Sequence, residues 1–367
     1  MVGRPIQPPW IDVRSIGAGG GSIAYVDSGG RLRVGPQSAG ADPGPACYDQ
    51  GGSEATVTDA NLVLGRLNAE YFLGGKMRLN PAKAQSVVSA LGEKMGLDRA
   101  AAAQAIIDVA DENMANAIRV ISVERGLDPR DFALVSFGGA GPLHTGGIAE
   151  KIGMHRIVVP LYPGLCSAFG TLIADFPVDK ILSQRFRSSE VEAAEVDKLF
   201  GKMVISAVAE LRDEGYSGKH VVQRSISMRY AGQNYEHDVK IAAGTINRHK
   251  LEAVFEEFHK LHQQFYGYSI SREVIELIRF NVKVIGASKT PRLKDIAKGK
   301  WPSPIHKRPV YFRDKGYVAC PVFSRSSLPS GSKLKGPAVI EEEDSTILLH
   351  PGNTLTVNRK GVITIAL

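Results

Sequence analysis

The sequence predicts an α/β lobe over residues 1–175, an α+β region over 176–288, a basic proline-containing linker over 289–309 and a β-rich C-terminal domain over 310–367. Three observations carry this division. Between residues 132 and 174 a strand, a glycine turn, a helix, a strand and a helix follow one another, the alternation of a sheet with flanking helices. After Asp175 two amphipathic helices alternate with longer strands, an α+β pattern. Beyond Val310 short apolar runs are separated by turns such as His350-Pro351-Gly352-Asn353 and Arg359-Lys360-Gly361.

Each element has a local reason. An apolar strand over 10–16 leads into Gly17-Ala18-Gly19-Gly20-Gly21-Ser22 and a second over 23–27 leads out, so that residues 10–35 form a hairpin around this glycine turn. Ser28-Gly29-Gly30 then turns into a short strand over 31–34. Residues 35–56 read as a long irregular loop, stiffened by Pro43 and Pro45; loops of that length are functional or disordered, and an ordered loop beside a cleft is expected. Thr58-Asp59 caps a helix over 60–67, and Asn80-Pro81 starts the next near Ala82. The spacing predicts a long helix over 99–125, with Ile106, Val109, Asn113, Ala117, Val120 and Ile121 on its buried stripe and Asp108, Asp111, Glu112 and Arg119 off it. A strand over 132–137 reaches a second glycine turn, Gly138-Gly139-Ala140-Gly141-Pro142, followed by a helix over 143–152, a strand over 156–160 and a helix ending near Ala174. The α+β region reads as a strand over 181–187, a helix over 191–215, a strand over 221–241, a helix over 248–265 and a strand over 275–285.

Composition removes several classes of function. The chain has 367 residues, 43% hydrophobic and 23% charged, a globular balance with enough apolar content for two or three cores. No stretch approaches ~18 uninterrupted apolar residues, so no membrane span is expected, and the first residues lack the apolar core of a secretory signal. Cys47, Cys166 and Cys320 fit neither a metal spacing nor a disulfide framework, which points to the reducing cytoplasm. Between residues 289 and 315 nine Lys or Arg face two Asp, an excess of seven that accounts for the net charge of +7. The same stretch holds Pro291, Pro302, Pro304 and Pro309, so this charge sits on a surface linker rather than on a folded nucleic-acid-reading face.

The chemistry centres on the two glycine turns. Successive glycines strip Cβ atoms from the backbone and let main-chain N–H groups close on an anion. The second turn also opens a helix, where phosphate or an adjoining nucleoside tends to sit. Together they suggest a nucleotide cleft; taken singly, each also reads as a tight turn without ligand. Asp12 either holds Mg²⁺ against the phosphates or faces solvent at a strand end. Ser22 either donates to a phosphate oxygen or serves the turn. Asp59 reads as a helix cap, Cys47 as a packed thiol, His144 as polar lining of the cleft, and His259 with His262 as a solvated pair. Glu341-Glu342-Glu343-Asp344 reads as an acidic turn.

These residues resemble a known family. Gly17-Ala-Gly-Gly-Gly-Ser22, Arg33-Val-Gly-Pro-Gln-Ser-Ala-Gly-Ala-Asp-Pro-Gly-Pro-Ala-Cys-Tyr48 and Thr56-Val-Thr-Asp-Ala-Asn-Leu-Val-Leu-Gly-Arg-Leu67 are similar to the hydantoinase A / 5-oxoprolinase family, which includes the A-type component of N-methylhydantoinase and related components of acetone and acetophenone carboxylases. Phe137-Gly-Gly-Ala-Gly-Pro-Leu-His144, Arg229-Tyr-Ala-Gly-Gln-Asn-Tyr-Glu236 and Gly336-Pro337-Ala338-Val339-Ile340 ahead of Asp344-Ser345-Thr346 extend the resemblance over the whole chain. It implies an actin-like ATPase lobe of ribonuclease-H-like type. Gly17, Gly19, Gly20, Gly21 and Ser22 would then bind phosphate, Gly138, Gly139 and Gly141 would pack on adenosine, and Asp12 would hold Mg²⁺ or Mn²⁺. The family's first phosphate segment is absent, so the chain corresponds to the C-terminal half, either as one product of a split gene or as a fragment. The resemblance further implies ATP as cofactor and a small-molecule substrate. Its implied partners are a first-lobe polypeptide and a hydantoinase B-like subunit, without nucleic acid or membrane. The implied activity is ATP-dependent hydrolysis of a cyclic amide; carboxylation of a ketone or a scaffold role are the alternatives. No residue stands out as the proton-transfer base.

Overall fold

Two antiparallel strands, β1 (Ser22–Val26) and β2 (Leu32–Ser38), pair across a turn in which Asp27 Oδ1 accepts from the N–H groups of Gly29 and Arg31. The computed structural model describes residues 13–288 and 291–367, and Asp12 lies outside them. The hairpin thus turns at 27–31, with the first glycine turn ahead of β1 rather than at its tip. Residues 13–16, expected in a strand, form none. The described chain divides into two units, one running to Phe169 and taking in Arg292–Leu367, the other Gly170–Pro291.

In the first unit, α1 (Val57–Val63) starts one turn earlier than expected because Thr56, not Thr58, is the N-cap. Thr56 and Asp59 form a capping box, each side chain accepting from the other's backbone N–H. α2 (Pro81–Glu93) begins where Asn80 accepts from the N–H groups of Ala82 and Lys83. α3 (Arg99–Ser122) has the predicted length, but its buried face is rotated: Ile107, Ala110 and Asp111 point inward, whereas Asn113 and Ile121 are exposed. A short β3 (Leu134–Val135) precedes α4 (Gly141–Ile152), β4 (Arg156–Val159) and α5 (Cys166–Ile173). Of the predicted strand over 132–137 only Leu134 and Val135 form a strand, in parallel with β4, and the Ser136 N–H adds one bond to Val158 O at 2.8 Å.

The second unit contains β5 (Phe176–Arg187), α6 (Ala193–Asp213), β6 (His220–Tyr230), β7 (His237–Ile241), α7 (Arg248–Tyr266) and β8 (Ile275–Gly286). The expected strand over 221–241 is a hairpin, broken around Gly232, whose φ of +82° suits glycine. The antiparallel sheet runs β5-β8-β6-β7, and the apolar stripes of α6 (Phe200, Met203, Ala207) and α7 (Leu251, Val254, Phe258) join Phe280 and Val282 in one core.

The chain then returns to the first unit through β9 (His306–Phe312), β10 (Gly316–Ser324), β11 (Lys333–Lys335), β12 (Ala338–Glu341), β13 (Thr346–Leu349), β14 (Thr354–Val357) and β15 (Ile363–Ala366). One sheet is β13-β12-β10-β9; the other runs β11-β14-β15-β4-β3. Residues 310–367, set off as a separate domain by composition, therefore complete a sheet begun by β3 and β4. Ile363 and Ile365 share a buried cluster with Ile157, Val159 and Ile148 of α4. Pairing between strands so far apart in the chain leaves no mark in local composition. Among the described residues no helix is long and apolar enough to cross a membrane.

Candidate functional site

The two glycine turns come together on one cleft of the first unit, of about 210 Å³, lined by Gly20, Gly139 and Ala140 with Tyr48, Thr58, Asn61, Tyr71 and Phe72. The cleft owes its position to three buttresses. Gly20 O accepts from both the backbone N–H and the hydroxyl of Thr58 at 2.9 Å, which fixes the first turn to the start of α1. A Cβ on Gly20 would stand 2.7 Å from that hydroxyl, so glycine is required there by a neighbour as well as by any ligand. Gly138 N–H donates to Pro163 O at 2.7 Å, and Ser345 Oγ donates to the carbonyls of Gly138 and Gly139, which ties the second turn to the segment between β12 and β13.

Backbone donors are left over on both turns. Among the described residues the N–H groups of Gly20 and Gly21, and those of Gly139, Ala140 and Gly141, have no protein acceptor. The last three crown the N-terminus of α4, which has no side-chain cap. Helix starts of this kind favour negative charge through their unsatisfied amides and dipole. Of the residues expected to bind nucleotide, Gly20 and Gly139 line the cleft; Gly17, Gly19, Gly21, Gly138 and Gly141 shape the turns behind it. Ser22 is buried, and its hydroxyl accepts from Gly19 N–H at 2.9 Å and donates to Gly17 O at 3.2 Å, serving the turn itself.

The cleft is also lined by the acidic turn Glu341–Asp344, which sequence reading left without a role and which adjoins the second glycine turn through Ser345. Nothing in its local pattern distinguishes it from a solvated turn; its place depends on the register of β12 and β13. Three of its carboxylates are matched: Glu341 by Arg308, Glu342 by Arg325 at 3.2 Å, and Glu343 by Lys76 at 2.6 Å. Burial pushes Glu342 up to about 7, against the opposing pull of Arg325. Arg325 is itself locked by donating to the carbonyls of Pro160 and Gly361. Asp344 Oδ2 is buried without a hydrogen-bond partner.

Beneath the cleft lies a polar cluster. His144 is buried rather than lining, with Nδ1 2.6 Å from Asp111 Oδ1 and Nε2 3.4 Å from Asn61 Nδ2. A charge on the inner face of α3 is tolerated because it meets this imidazole. Asp59 is also buried and accepts from the N–H groups of Cys47 (2.8 Å) and Thr56 (3.0 Å) and from the Thr56 hydroxyl (2.7 Å), a structural anchor for the proline-rich loop. Burial, reinforced by Asp59, pushes the Cys47 thiol far above its ordinary range, the opposite of an activated nucleophile. In the second unit His262 is buried, not solvated, between Tyr268 O and Gln233 Oε1. Among the described residues no three His, Cys, Asp or Glu side chains form a metal cage.

Comparison with known proteins gives a consistent result. The family model for hydantoinase/oxoprolinase matches residues 1–180, and that for the hydantoinase/oxoprolinase C-terminal domain matches 185–365. An uncharacterized protein of Methanocaldococcus jannaschii is 40% identical over 99% of the chain and 52% of its own length. The alpha subunit of caprolactamase from Pseudomonas jessenii is 38% identical over 95% of the chain and 51% of its length. The gamma subunit of acetophenone carboxylase from Aromatoleum aromaticum is 33% identical over 98% of the chain and 52% of its length. The crystal structure of the ATP-dependent caprolactamase from Pseudomonas jessenii superposes with a TM-score of 0.77 at 36% identity, over 95% of this chain and 52% of that one. The chain thus spans about half the length of the relatives it matches.

Proposed function

We propose, from the premise that the chain belongs to the hydantoinase/oxoprolinase family, that it supplies one wall of the ATP site of an ATP-dependent cyclic-amide hydrolase. The observation that supports this reading is that both glycine turns carry main-chain amides without a protein acceptor among the described residues, and that three of those residues, Gly20, Gly139 and Ala140, line a single cleft. Residues Gly17–Gly21 would cradle phosphates and Gly138–Gly141 would pack on adenosine, in the manner of one lobe of an actin-like ATPase.

The residues present fit a nucleotide in two respects. Gly20 and Gly139 present bare backbone to the cleft, and three basic side chains neutralise most of the acidic wall that a triphosphate would otherwise face. Mg²⁺ customarily takes one or two carboxylates and fills its remaining positions with phosphates and water. Asp344, whose Oδ2 has no partner, would supply such a carboxylate from the described residues; Asp12 is the second candidate and lies outside them. ATP, when bound, would supply the phosphoryl group that activates an amide carbonyl. The chain's own contribution is positioning and charge: amides aimed at phosphate oxygens, and Glu342 held by Arg325 at the cleft wall. The other half of the family's polypeptide and a hydantoinase B-like subunit would complete the assembly in the cytoplasm, a setting that suits three unpaired cysteines.

Calorimetric titration of ATP into the purified chain, alone and co-expressed with a polypeptide for the half its relatives carry in addition, tests the reading. ATP binding by the pair is expected, with ATP-dependent opening of 5-oxoproline, hydantoin or caprolactam once a B-like subunit is added. No nucleotide binding by either preparation would leave a scaffold role instead.

A further inference from the structure

A second cavity of the first unit encloses about 700 Å³. That volume suits a small molecule, whose sites usually span ~300–1,000 Å³. Its lining comes from four places: Arg66 just after α1, Asp111 on α3, Gly146 and Gly147 on α4, and His350 just after β13. The glycines permit this approach. A Cβ on Gly147 would stand 2.3 Å from Asp111 Oδ2, and one on Gly146 2.9 Å from His350 Cδ2.

Two opposite charges in this lining are buried and incompletely matched. Arg66 is 4% exposed and forms no ion pair among the described residues. Its terminal nitrogens donate to neutral oxygens, Gln104 Oε1 at 3.0 Å and Asn61 Oδ1 at a long 3.5 Å, and its Nε is buried without an acceptor. Burial pulls Arg66 down only to about 10, so the guanidinium stays charged at neutral pH. Asp111 is 5% exposed; its Oδ1 meets His144 Nδ1, whereas Oδ2 accepts from no described group. The two charges attract one another without an ion-pair contact. His350 adds none, because burial and the charge of Arg66 push it down to about 4. The outer lining is different. Arg313 pairs with Asp108 and Lys151 with Glu112, while Glu150, Asp314 and Lys315 are exposed to solvent.

A charge withdrawn from water is costly unless it is paired and hydrogen-bonded. We propose that this cavity binds a small zwitterion, whose carboxylate pairs with Arg66 and whose ammonium group pairs with Asp111. A carboxylate matches the fork of a guanidinium. A carboxylate alone would leave Asp111 Oδ2 unmatched, and an amine alone would leave Arg66 so. A phosphate dianion would set a second negative charge beside Asp111. The buried side chains of Leu143 and Phe312 give the carbon chain between the two groups an apolar wall. Leu143 also lines the glycine cleft, and His144 joins Asp111 to Asn61 of that cleft. Water added across the C–N bond of a cyclic amide leaves a carboxylate and an ammonium group on one molecule, so the product of the proposed reaction belongs to this class. That identification rests on the functional reading; the site itself does not.

The test is calorimetric titration of the purified 367-residue chain with ω-amino acids from glycine to 6-aminohexanoate, and with hexanoate, hexylamine and inorganic phosphate as comparators. At least one amino acid should bind about tenfold or more tighter than hexanoate or hexylamine. Asp111→Asn keeps the shape and an oxygen for His144, and should abolish this preference at an unchanged melting temperature. Asn353→Trp, at a half-buried position in the lining, should block binding while leaving both charges in place. Arg66→Met should lose every carboxylate ligand; if it fails to fold, the other two variants decide the case. No binding across the series, a preference that survives Asp111→Asn, or full affinity in folded Asn353→Trp overturns the inference. So does phosphate binding tighter than any amino acid, which would make the cavity an oxyanion site. Amino-acid binding with these variant effects by a chain that binds no ATP in any preparation leaves the site standing and removes only its link to the proposed reaction.

Discussion

Glu342 and His350 are both driven from their ordinary ionisation by burial, in opposite directions for stability. Burial raises Glu342 from 4.5 to about 7 and lowers His350 from 6.5 to about 4. The folded state therefore binds a proton at Glu342 more readily than the unfolded chain does, and ionisation weakens the fold as pH rises from 4.5 to 7. At His350 the unfolded chain binds the proton more readily, and stability is lost as pH falls from 6.5 to 4. Between pH 4.5 and 6.5 the two slopes oppose one another. Denaturant unfolding of the first unit across this range should find Glu342→Gln gaining on the unsubstituted protein as pH rises, by up to about 3 kcal/mol at pH 7. His350→Gln should lose the acid-side fall. Parallel curves for all three proteins would mean that neither group is shifted. At this scale the sequence announces little. Asp59 could be read as a cap because Thr and Asp lie near the head of an apolar run, but its hold on the Cys47 and Ala46 amides needs the loop to fold back. Asp111 with His144 and the acidic turn are brought into place by contacts far apart in the chain, and no local spacing encodes them.

Helix boundaries were the most legible elements, because capping chemistry is local. Asn80-Pro81 starts α2 as expected, and Asp98 caps α3 through the Ala101 N–H. The face of a helix is less legible than its ends. For α3, periodicity placed Ile121 on the buried stripe and Asp111 off it, but the helix packs against α1 and α2 on one side and α4 on another. An element with neighbours on more than one side buries a wider arc than one stripe, and a charge can enter that arc only with a partner, as Asp111 does. Ile107→Ala, at a position 1% exposed, should therefore destabilise the first unit by about 3 kcal/mol. Ile121→Ala, at a position 40% exposed, should change it by less than about 0.5 kcal/mol. Equal costs in urea unfolding would restore the stripe that periodicity alone suggested.

For the whole molecule, the order of elements was readable while the closure of sheets was not. The α+β composition after Asp175 coincides closely with the second unit, since a four-stranded antiparallel sheet and two helices are consecutive in the chain and share one core. The last strands are different. β14 and β15 enter the sheet of β3 and β4, and β15 pairs with β4 through Ile363 opposite Val159 and Ile365 opposite Ile157. Without them β4 would lose a neighbour and Ile148, Ile152 and Ile157 would lose the side chains that cover them. The two units should consequently respond differently to truncation. Residues 170–291 made alone retain every strand partner of their sheet and should unfold cooperatively, with near-ultraviolet circular dichroism from a fixed aromatic core. Residues 1–309, which keep the glycine turns but lack the end of β9 and all of β10 to β15, should yield only the transition of the second unit, with the first exposed to proteolysis. A truncated chain that showed both transitions would mean that the C-terminal strands decorate the first unit instead of closing it, and the cleft wall formed by Glu341–Asp344 would then be dispensable for its fold.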